Sequence, residues 1–519
     1  MAKQYLIGID LGSSFAKTSL FDTDGHSHGD VTCDNHPYQP RPGVAEYDGP
    51  QLMAATVRAL RELVEQRGVA AGDVAALSID GMISGTLGLD AEGEATTPYT
   101  TTLDTRFTPE LNYVMDHFQD PIRRLTGAGQ PCVAPKMLWL RREFPEAYAR
   151  TEKFVTIASY VAGKLTGLSG RDSFIDFTYL WATGLSDTIN YAWSEELCGA
   201  MDLPVAKLPR IVRSADVIGG ISAEMAQATG LGQGTPVVAG CGDQSACFLA
   251  AGVTAPGRMA DGAGTYPVLA YCTDFFRPDV EGKRTEILAS VVPGLYNPTS
   301  LIIGGGLTHH WFQEQFAAGD AAEAARRGAG ASVYSVLDEK AARLEPGSDK
   351  LFFIPHLAGR ACPTNTDYRG MWVGFSWTHR REHFYRSVME AIAYDQYHAL
   401  QSLRAAYPES PVNEVYCYSG GARSALWNQI KSDVMGVPYV TLDREDMGAL
   451  GAAILAGYAV GIYDDLASAG QRFVKMTRRF EPRPEAYAYY RRCAEYYGDL
   501  LRHSEPAYRD LAALPEWQG

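Results

Sequence analysis

Residues 237–252, near the middle of the chain, read VVAGCGDQSACFLAAG and decide how the fold is interpreted. Its apolar opening predicts a buried strand, its glycines predict a break, and its small residues after Asp243 predict a helix. Asp243 is the one side chain here suited to acid–base chemistry, and burying a carboxylate is costly unless it is paired or used. Because Asp is also a favoured N-cap, this stretch alone supports a helix cap and a catalytic base equally.

Length and composition limit the classes of protein to which this chain can belong. A chain of 519 residues predicts two large domains or three smaller ones. The hydrophobic fraction of 46% and the charged fraction of 21% are typical of soluble globular proteins. The net charge of -15 argues against a nucleic-acid or membrane partner, each of which calls for a basic face. Backbone amides can still hold a phosphorylated ligand on an acidic protein.

The 9 cysteines are scattered and form no CxxC pair, which disfavours a zinc site and a thioredoxin motif. They are typical of buried free thiols and predict a reducing, cytoplasmic location. Charged residues follow the N-terminus too closely for a signal peptide. The apolar run at 448–462 is too short to span a bilayer.

The first part of the chain predicts a β-meander and then a helix. Strands are expected at 4–10, 16–21 and 26–33, and Asp48 is expected to cap an amphipathic helix over 50–67. A further strand at 74–79 runs into a glycine-rich loop. Residues 107–215 are predicted to be mostly helical, and the end of the chain from Pro484 is predicted to be an exposed helical tail.

Three glycine- and hydroxyl-rich turns follow predicted strands, at residues 10–14, 261–265 and 419–424. Such turns point backbone amides together and can hold an anion. The first two turns begin with Asp, which predicts an internal duplication into two similar domains. An Asp in this position can hold magnesium, and Lys17 can meet a phosphate. Ordinary hairpin turns remain the alternative for each turn taken singly.

If these turns hold a nucleotide, the chemistry they predict is phosphoryl transfer to a hydroxyl, and Asp243 is the natural base for the acceptor's proton. Asp104 and Arg106 would share a face of an extended segment and could bind vicinal hydroxyls. A surface ion pair is the alternative for these two residues.

The motifs resemble those of the FGGY carbohydrate kinases over nearly the whole chain. The resemblance rests on segments 8–17, 136–140, 240–244, 261–265 and 420–453, with a further C-terminal signature at 370–390. It implies an α/β protein with two actin-like (ribonuclease H-like) ATPase domains around a central cleft. It further implies an N-terminal domain over 1–246, a C-terminal domain over 247–475 and a helical tail over 476–519 packed on the second domain.

The site that this resemblance implies binds ATP and Mg²⁺. Asp243 is the implied catalytic base, and Asp10 and Asp243 are the implied metal ligands. The implied ATP- and phosphate-binding residues are Asp10, Gly12, Ser13, Ser14, Lys17, Gly264, Thr265, Gly306, Gly420, Gly421, Ala422 and Ser424. The implied acceptor-binding residues are Ile83, Ser84, Asp104, Arg106 and Asp243.

Within the family the best likeness is to xylulokinases, which implies phosphorylation of D-xylulose to xylulose 5-phosphate by a homodimer. Three departures concern the choice of sugar: Ile83-Ser84 replaces the usual Met-His, residues 359–363 read GRACP, and Asp446 stands where Glu is common. Another ketopentose, a tetritol or a small diol signal is therefore an alternative acceptor. A non-catalytic actin-type ATPase is the alternative from another class.

Overall fold

The computed structural model describes residues 4–328, 330–444 and 447–515, so Asp446 lies outside the described residues. The strands, in chain order, are β1 (Tyr5–Leu11), β2 (Phe15–Asp22), β3 (Ser27–Asp34), β4 (Glu46–Tyr47), β5 (Val74–Gly81), β6 (Leu87–Leu89), β7 (Tyr99–Thr100), β8 (Lys153–Val155), β9 (Phe174–Asp176), β10 (Ser186–Asp187), β11 (Ala192–Trp193), β12 (Arg210–Val212), β13 (Val217–Gly220), β14 (Pro236–Gly242), β15 (Met259–Gly262), β16 (Val268–Tyr271), β17 (Glu286–Ala289), β18 (Tyr296–Leu301), β19 (Phe352–Ile354), β20 (Met371–Val373), β21 (Val415–Tyr418), β22 (Tyr439–Leu442) and β23 (Met476–Phe480).

The α-helices are α1 (Gly49–Arg67), α2 (Thr108–Thr126), α3 (Val133–Glu143), α4 (Pro145–Arg150), α5 (Ile157–Thr166), α6 (Leu180–Thr183), α7 (Glu195–Ala200), α8 (Ala223–Thr229), α9 (Asp243–Ala250), α10 (Gly305–Phe316), α11 (Ala318–Arg327), α12 (Val333–Ala341), α13 (Arg381–Ala406), α14 (Ala425–Met435), α15 (Met447–Ala459), α16 (Leu466–Arg472) and α17 (Pro484–Ala512). Short 3₁₀ turns lie at Phe177–Tyr179, Val205–Lys207, Ser348–Lys350 and Gly420–Arg423.

The first sheet has six strands in the order β13-β14-β5-β1-β2-β3. Strands β1, β2 and β3 form the predicted antiparallel meander, and β1, β5 and β14 run parallel. All eight residues of β5 are buried, which shows that both faces of the sheet are covered at its centre. The carboxyl ends of the three parallel strands therefore meet at one edge of this sheet.

The second sheet repeats that plan. Its order is β17-β18-β16-β15-β21-β22-β23, with β18, β16 and β15 antiparallel, β15, β21 and β22 parallel, and β23 antiparallel at the end. Apart from the added strand β17, the order and directions match those of the first sheet. The internal duplication predicted from two short Asp-led turns is confirmed.

Most of the helices that cover these sheets lie where the sequence predicts a helix. Asp48 caps α1 by accepting a hydrogen bond from the Gln51 amide at 2.9 Å. The small-residue helix α15 lies over β1 and β5 and against α9. Helix α17 packs on α13 and α14 and buries Tyr490, Tyr497 and Tyr508. The prediction of an exposed tail is therefore wrong, because a regular stripe of this helix is apolar and closes the second core.

The helical prediction for residues 107–215 holds only as far as Thr166. Beyond it the chain forms short strands and 3₁₀ turns, with α6 and α7 covering 4 and 6 residues. Gly167 ends α5 in the left-handed conformation, and the Gly-, Ser- and Asp-rich residues after it favour turns.

The domain limits expected from the sequence stay predictions: residue 246 falls within α9, and residue 475 falls just before β23. All nine cysteines are free thiols, and most are buried. Among the described residues, none of the helices is long and apolar enough to cross a membrane.

Candidate active site

Asp243 lies where β14 ends and α9 begins. The register of β14 against β5 shifts between Val238 and Cys241, and Gly240 takes a φ of 79° there. A Cβ at Gly240 would lie 1.8 Å from the Ile79 carbonyl oxygen, so this bulge requires glycine. Asp243 is the first residue of α9 and Gly242 holds the cap position without a side-chain bond. The alternative of an Asp243 N-cap is therefore wrong, although the Asp243 Oδ1 accepts the Gln244 amide at 2.7 Å.

Two further carboxylates lie at the ends of the neighbouring strands. Asp10 on β1 and Asp80 on β5 are opposite each other in the parallel register. Asp80 is fully buried, and neither of its oxygens meets a hydrogen-bond donor among the described residues. Burial, reinforced by the carboxylates of Asp10 and Asp243, holds the pKa of Asp80 well above its usual value. The edge where parallel strands end thus gathers three acidic side chains.

Sequence reasoning missed Asp80. A usable signal was present, because Asp80 follows a buried strand and precedes a glycine-rich loop, as Asp10 does. The decisive observation was the register that places it beside Asp10, 70 residues away in the chain.

The same surroundings set the protonation of Asp243. Burial first, and then the charge of Asp10, raise the pKa of Asp243 to about 7, although the Gln244 amide opposes the rise. Desolvation and a like charge therefore outweigh the one amide that favours the ionised form. A carboxylate of this pKa suits proton transfer near neutral pH.

The first turn of α15 closes the other side of this carboxylate group. A Cβ built on Gly448 would lie 2.8 Å from Asp10 Oδ2 and 3.1 Å from Asp80 Oδ1. Only glycine lets the helix backbone approach so closely. The N-terminal end of a helix also carries a partial positive charge, which favours nearby anions.

The carboxylates fit a magnesium ion. Mg²⁺ prefers oxygen ligands and is usually held by one or two carboxylates together with substrate phosphates. In the part of the chain that the structure describes, no three His, Cys, Asp or Glu side chains are arranged to hold a metal unaided. Among the described residues, the carboxylate oxygens of Asp80 have no hydrogen-bond partner, and the pKa of Asp243 is raised. A bound cation would compensate the negative charge that these carboxylates bring together.

The first predicted phosphate segment forms the hairpin between β1 and β2. We call residues 12–14 the phosphate turn; Ser13 and Ser14 in it are exposed and Gly12 is half-buried. Lys17 lies across the hairpin from Asp10 in the β-register, and its Nζ is 3.8 Å from Asp30 Oδ2. Asp10, the turn and Lys17 thus occupy one end of the hairpin.

The predicted nucleotide segments of the second half also converge. The Gly306 amide donates to the Gly264 carbonyl at 3.1 Å, so the first turn of α10 lies on the turn that carries exposed Thr265. The Gly421 amide donates to the Ala263 carbonyl at 2.9 Å, which joins the third turn, with Gly420 and Ala422, to the second.

Two details differ from the sequence reading of these turns. The Ser424 hydroxyl is engaged within the protein: it accepts the Trp427 amide at 3.0 Å and donates to Asp338 Oδ2 at 2.6 Å. Asp261 forms a fully buried ion pair with Lys431 at 2.5 Å. Although Asp261 matches Asp10 by position, its carboxylate is already neutralised and is not placed to hold a metal.

Asp104 and Arg106 form a tight pair on the N-terminal side. Arg106 Nε donates to Asp104 Oδ1 at 2.9 Å, and its Nη2 reaches Glu46 Oε1 at 2.5 Å. Asp104 is fully buried, so the alternative of a surface ion pair is wrong. Residues 101–107 form irregular loop and turns rather than the extended segment expected, and the Arg106 guanidinium lies over the Trp139 ring, 4.7 Å from its centroid.

Ile83 and Ser84 lie in the segment 81–86, which we call the acceptor loop. Ile83 is buried and packs against Gly242, where a Cβ would lie 2.6 Å from its Cγ1. The Ser84 carbonyl accepts a hydrogen bond from Lys136 Nζ at 2.8 Å. Burial lowers the pKa of Lys136 to about 8, and its ammonium also holds the Thr100 carbonyl at 2.8 Å. Lys136 therefore fixes the acceptor loop and was not assigned a role from the sequence.

Comparison with known proteins identifies the family of this chain. Residues 5–250 match the N-terminal domain, and residues 272–460 the C-terminal domain, of the FGGY family of carbohydrate kinases. These matches cover more than half of the chain, which belongs to the FGGY family of carbohydrate kinases and is a phosphotransferase.

Individual relatives differ in substrate. The chain is 26% identical to a xylulose kinase of Bacillus subtilis over 507 residues, covering 97% of each chain. It is 25% identical to a gluconokinase of the same organism over 512 residues, covering 98% of each. It is 26% identical to an autoinducer-2 kinase of Klebsiella pneumoniae over 530 residues, covering 98% of this chain and 94% of the relative.

Solved structures share the fold. The crystal structure of a ligand-bound xylulose kinase from Lactobacillus acidophilus has a TM-score of 0.88 at 23% identity and covers 98% of this chain and 99% of that one. A Plasmodium falciparum glycerol kinase with ADP has a TM-score of 0.84 at 19% identity, covering 96% and 98%. The two-domain, actin-like α/β fold with a central cleft is thereby confirmed.

Proposed function

We propose that this chain transfers the terminal phosphate of ATP to a hydroxyl of a small neutral sugar or polyol, with D-xylulose as the preferred acceptor and xylulose 5-phosphate as the product. The observation that carries the proposal is Asp243, a half-buried carboxylate of pKa about 7 beside Asp10 and Asp80 at the ends of three parallel strands. The relatives named xylulose kinase support the choice of sugar.

In this mechanism Asp243 orients the acceptor hydroxyl and takes its proton as the oxygen attacks the terminal phosphorus. The new oxygen–phosphorus bond forms as the bond to the bridging oxygen of ADP breaks, and ADP leaves. Bound Mg²⁺, held by Asp10 and Asp243, would neutralise charge on the phosphates. The amides of the phosphate turn, together with Lys17, Gly264 and Thr265, hold phosphate oxygens, and residues 420–422 hold the adenosine. Closure of the two lobes excludes water as a competing acceptor.

The charge of the acceptor side favours a neutral substrate. Arg106 is already paired with two carboxylates, Asp104 and Glu46, so these three groups together carry one net negative charge. The Lys136 ammonium is likewise held by the Ser84 and Thr100 carbonyls, so an acidic sugar such as gluconate would meet no unpaired cation among these residues. This argument separates the proposal from the gluconokinase relatives.

The test is an ADP-release assay across D-xylulose, other ketopentoses, pentitols, tetritols, gluconate and a small diol. We expect D-xylulose to give the highest kcat/KM, and Asp243→Asn to lower kcat by about 10²- to 10⁴-fold. Asp116→Asn, on an exposed position of α2, is the matched control and should leave kcat unchanged. Full sugar-dependent activity in a folded Asp243→Asn protein would overturn the assignment of the base. ADP release that no acceptor stimulates would favour the alternative of an actin-type ATPase without kinase activity.

A further inference from the structure

We propose that Tyr47 and Tyr99 are positioning residues that hold the phosphate turn and the acceptor loop in a fixed relation, so that nucleotide and acceptor bind cooperatively. The inference rests on the proposed function. It is carried by the hydrogen bonds that the two tyrosine hydroxyls donate to backbone carbonyls of these two segments.

The two tyrosines lie opposite each other on a short ribbon. Strand β4 pairs antiparallel with β7, which sets Tyr47 against Tyr99 and Glu46 against Thr100. The two rings meet edge to face, with centroids 6.1 Å apart and planes at 63°. Both side chains are buried, with exposed fractions of 1% and 0%. Buried aromatic pairs of this kind are rigid and add to ordinary packing.

The two hydroxyls reach in different directions. Tyr47 donates to the Ser13 carbonyl of the phosphate turn at 3.1 Å. Tyr99 donates to the Met82 carbonyl of the acceptor loop at 2.8 Å. One ring pair thus carries a hydrogen bond to each of the two segments that must meet during transfer.

The contact with the phosphate turn shapes its amides. Asn35 holds the other two carbonyls of the turn, with its Nδ2 2.6 Å from the Gly12 oxygen and its amide 2.8 Å from the Ser14 oxygen. In a trans peptide the carbonyl and the next N–H point in opposite directions. Tying all three carbonyls back to the protein therefore turns the following amides the other way, as an anion-holding turn requires.

The same ribbon also reaches the acceptor side through Glu46. Glu46 binds Arg106, and the neighbouring Ala45 amide donates to Asp104 Oδ2 at 3.3 Å. Successive residues of a strand point to opposite faces. Glu46 and Tyr47 can therefore serve the acceptor pair and the phosphate turn from adjacent positions.

The test uses Tyr47→Phe, Tyr99→Phe and the double variant, because phenylalanine keeps the ring and removes only the hydroxyl. Tyr148→Phe is the matched control, since Tyr148 is buried on α4 and its hydroxyl has no hydrogen-bond partner among the described residues. KM for ATP, KM for the acceptor, kcat and melting temperature are measured, together with the Kd of MgADP by calorimetry with and without acceptor.

We expect Tyr47→Phe to raise KM for ATP and the Kd of MgADP about 5- to 20-fold, with the acceptor KM nearly unchanged. Tyr99→Phe should raise the acceptor KM and leave MgADP binding alone. In the double variant, acceptor should no longer tighten MgADP binding. Equal increases in the KM for ATP and the KM for the acceptor in each single variant would overturn the proposal. A lowered melting temperature with both KM values unchanged, as they should be in Tyr148→Phe, would also overturn it, because the hydroxyls would then serve stability alone.

The MgADP measurement needs no acceptor, so it separates this inference from the choice of sugar. If the wild-type protein phosphorylates none of the acceptors, the proposed function fails while the role of Tyr47 is still decided by its Kd. If Tyr47→Phe does not fold, Asn35→Ser removes a contact to the same turn and must show the same selective weakening of MgADP.

Discussion

At the scale of the residue, Asp176 fixes the backbone that leads into Asp243. Asp176 is buried and accepts hydrogen bonds from the Thr178 amide, the Thr178 hydroxyl and the Ser214 hydroxyl at 2.8, 2.8 and 2.9 Å. The Thr178 hydroxyl in turn accepts the Gly242 amide at 2.9 Å. These contacts fix the backbone immediately before Asp243. Burial nevertheless raises the pKa of Asp176 to about 7, because the three donors only partly offset desolvation.

This carboxyl predicts a pH-dependent stability. Its pKa is raised on folding, so the folded state keeps a proton that the unfolded state loses, and stability falls as pH rises from about 4 to about 7. Three pKa units correspond to about 4 kcal/mol at most. Asp176→Asn is neutral throughout, and we expect the melting temperature of the wild-type protein to fall relative to this variant between pH 5 and 7.5. Parallel melting curves of the two proteins across that range would contradict the role of Asp176.

At the scale of the element, glycines allow α15 to pack closely against both β1 and α9. A Cβ at Gly8 of β1 would lie 1.8 Å from the Ala449 oxygen, and a Cβ at Gly451 would lie 2.1 Å from the Ala246 oxygen on α9. Helix α15 can therefore approach both β1, which carries Asp10, and α9, which begins with Asp243. Small residues in α15 are required by this packing rather than by helix propensity.

Gly451→Ala tests that packing. The added methyl must displace α9 or α15, and overpacking of this kind costs about 1–3 kcal/mol or more. Because α9 begins with Asp243, we expect kcat to fall at least about tenfold. Gly199→Ala is the matched control: Gly199 lies in α7 with no atom within 4 Å of the added Cβ. That control should gain up to about 1 kcal/mol from helix propensity. Equal melting temperatures and kcat values for the two variants would show that α15 is not tightly packed.

At the scale of the whole molecule, the duplicated halves differ in how they are stabilised. The second half gains the long helix α17, whose Tyr490 hydroxyl donates to Glu390 Oε1 at 2.7 Å. Arg386 binds the same carboxylate at 2.8 Å, and the Gly347 amide and Ser348 hydroxyl complete its bonding. Arg386 and Glu390 are both buried, so this network ties the tail to α13 and to the turn before β19.

Arg386→Met should destabilise the protein strongly, because it leaves the Glu390 carboxylate buried without its cation. Breaking one partner of a buried pair costs about 3–5 kcal/mol, which corresponds to a drop of roughly 10 °C in the melting temperature for a lobe of this size. The double variant Arg386→Met with Glu390→Gln removes the orphaned charge, and we expect it to recover at least half of the loss. A double variant no more stable than Arg386→Met would show that packing, not charge, explains the effect.

The sequence by itself determined many of the local elements. Alternating apolar residues and glycine turns predicted the meander of β1, β2 and β3, Asp48 predicted the start of α1, and the apolar run before Asp243 predicted β14. These features depend on hydrogen bonds and periodicities within a few residues, which neighbouring side chains encode directly. The repeated Asp-led turn also predicted the duplication that the two sheets confirm.

Only the tertiary structure decided which distant groups meet and how they are charged. The register of β1 against β5 brought Asp80 to Asp10, the ribbon of β4 and β7 placed Tyr47 beneath Ser13, and Lys431 neutralised Asp261 across 170 residues. The stretch at 237–252 fits either a helix cap or a base when read alone. Burial and the charge of Asp10 give its carboxylate a pKa of about 7, because desolvation and like-charge repulsion depend on the packing around the group and not on its neighbours in the chain.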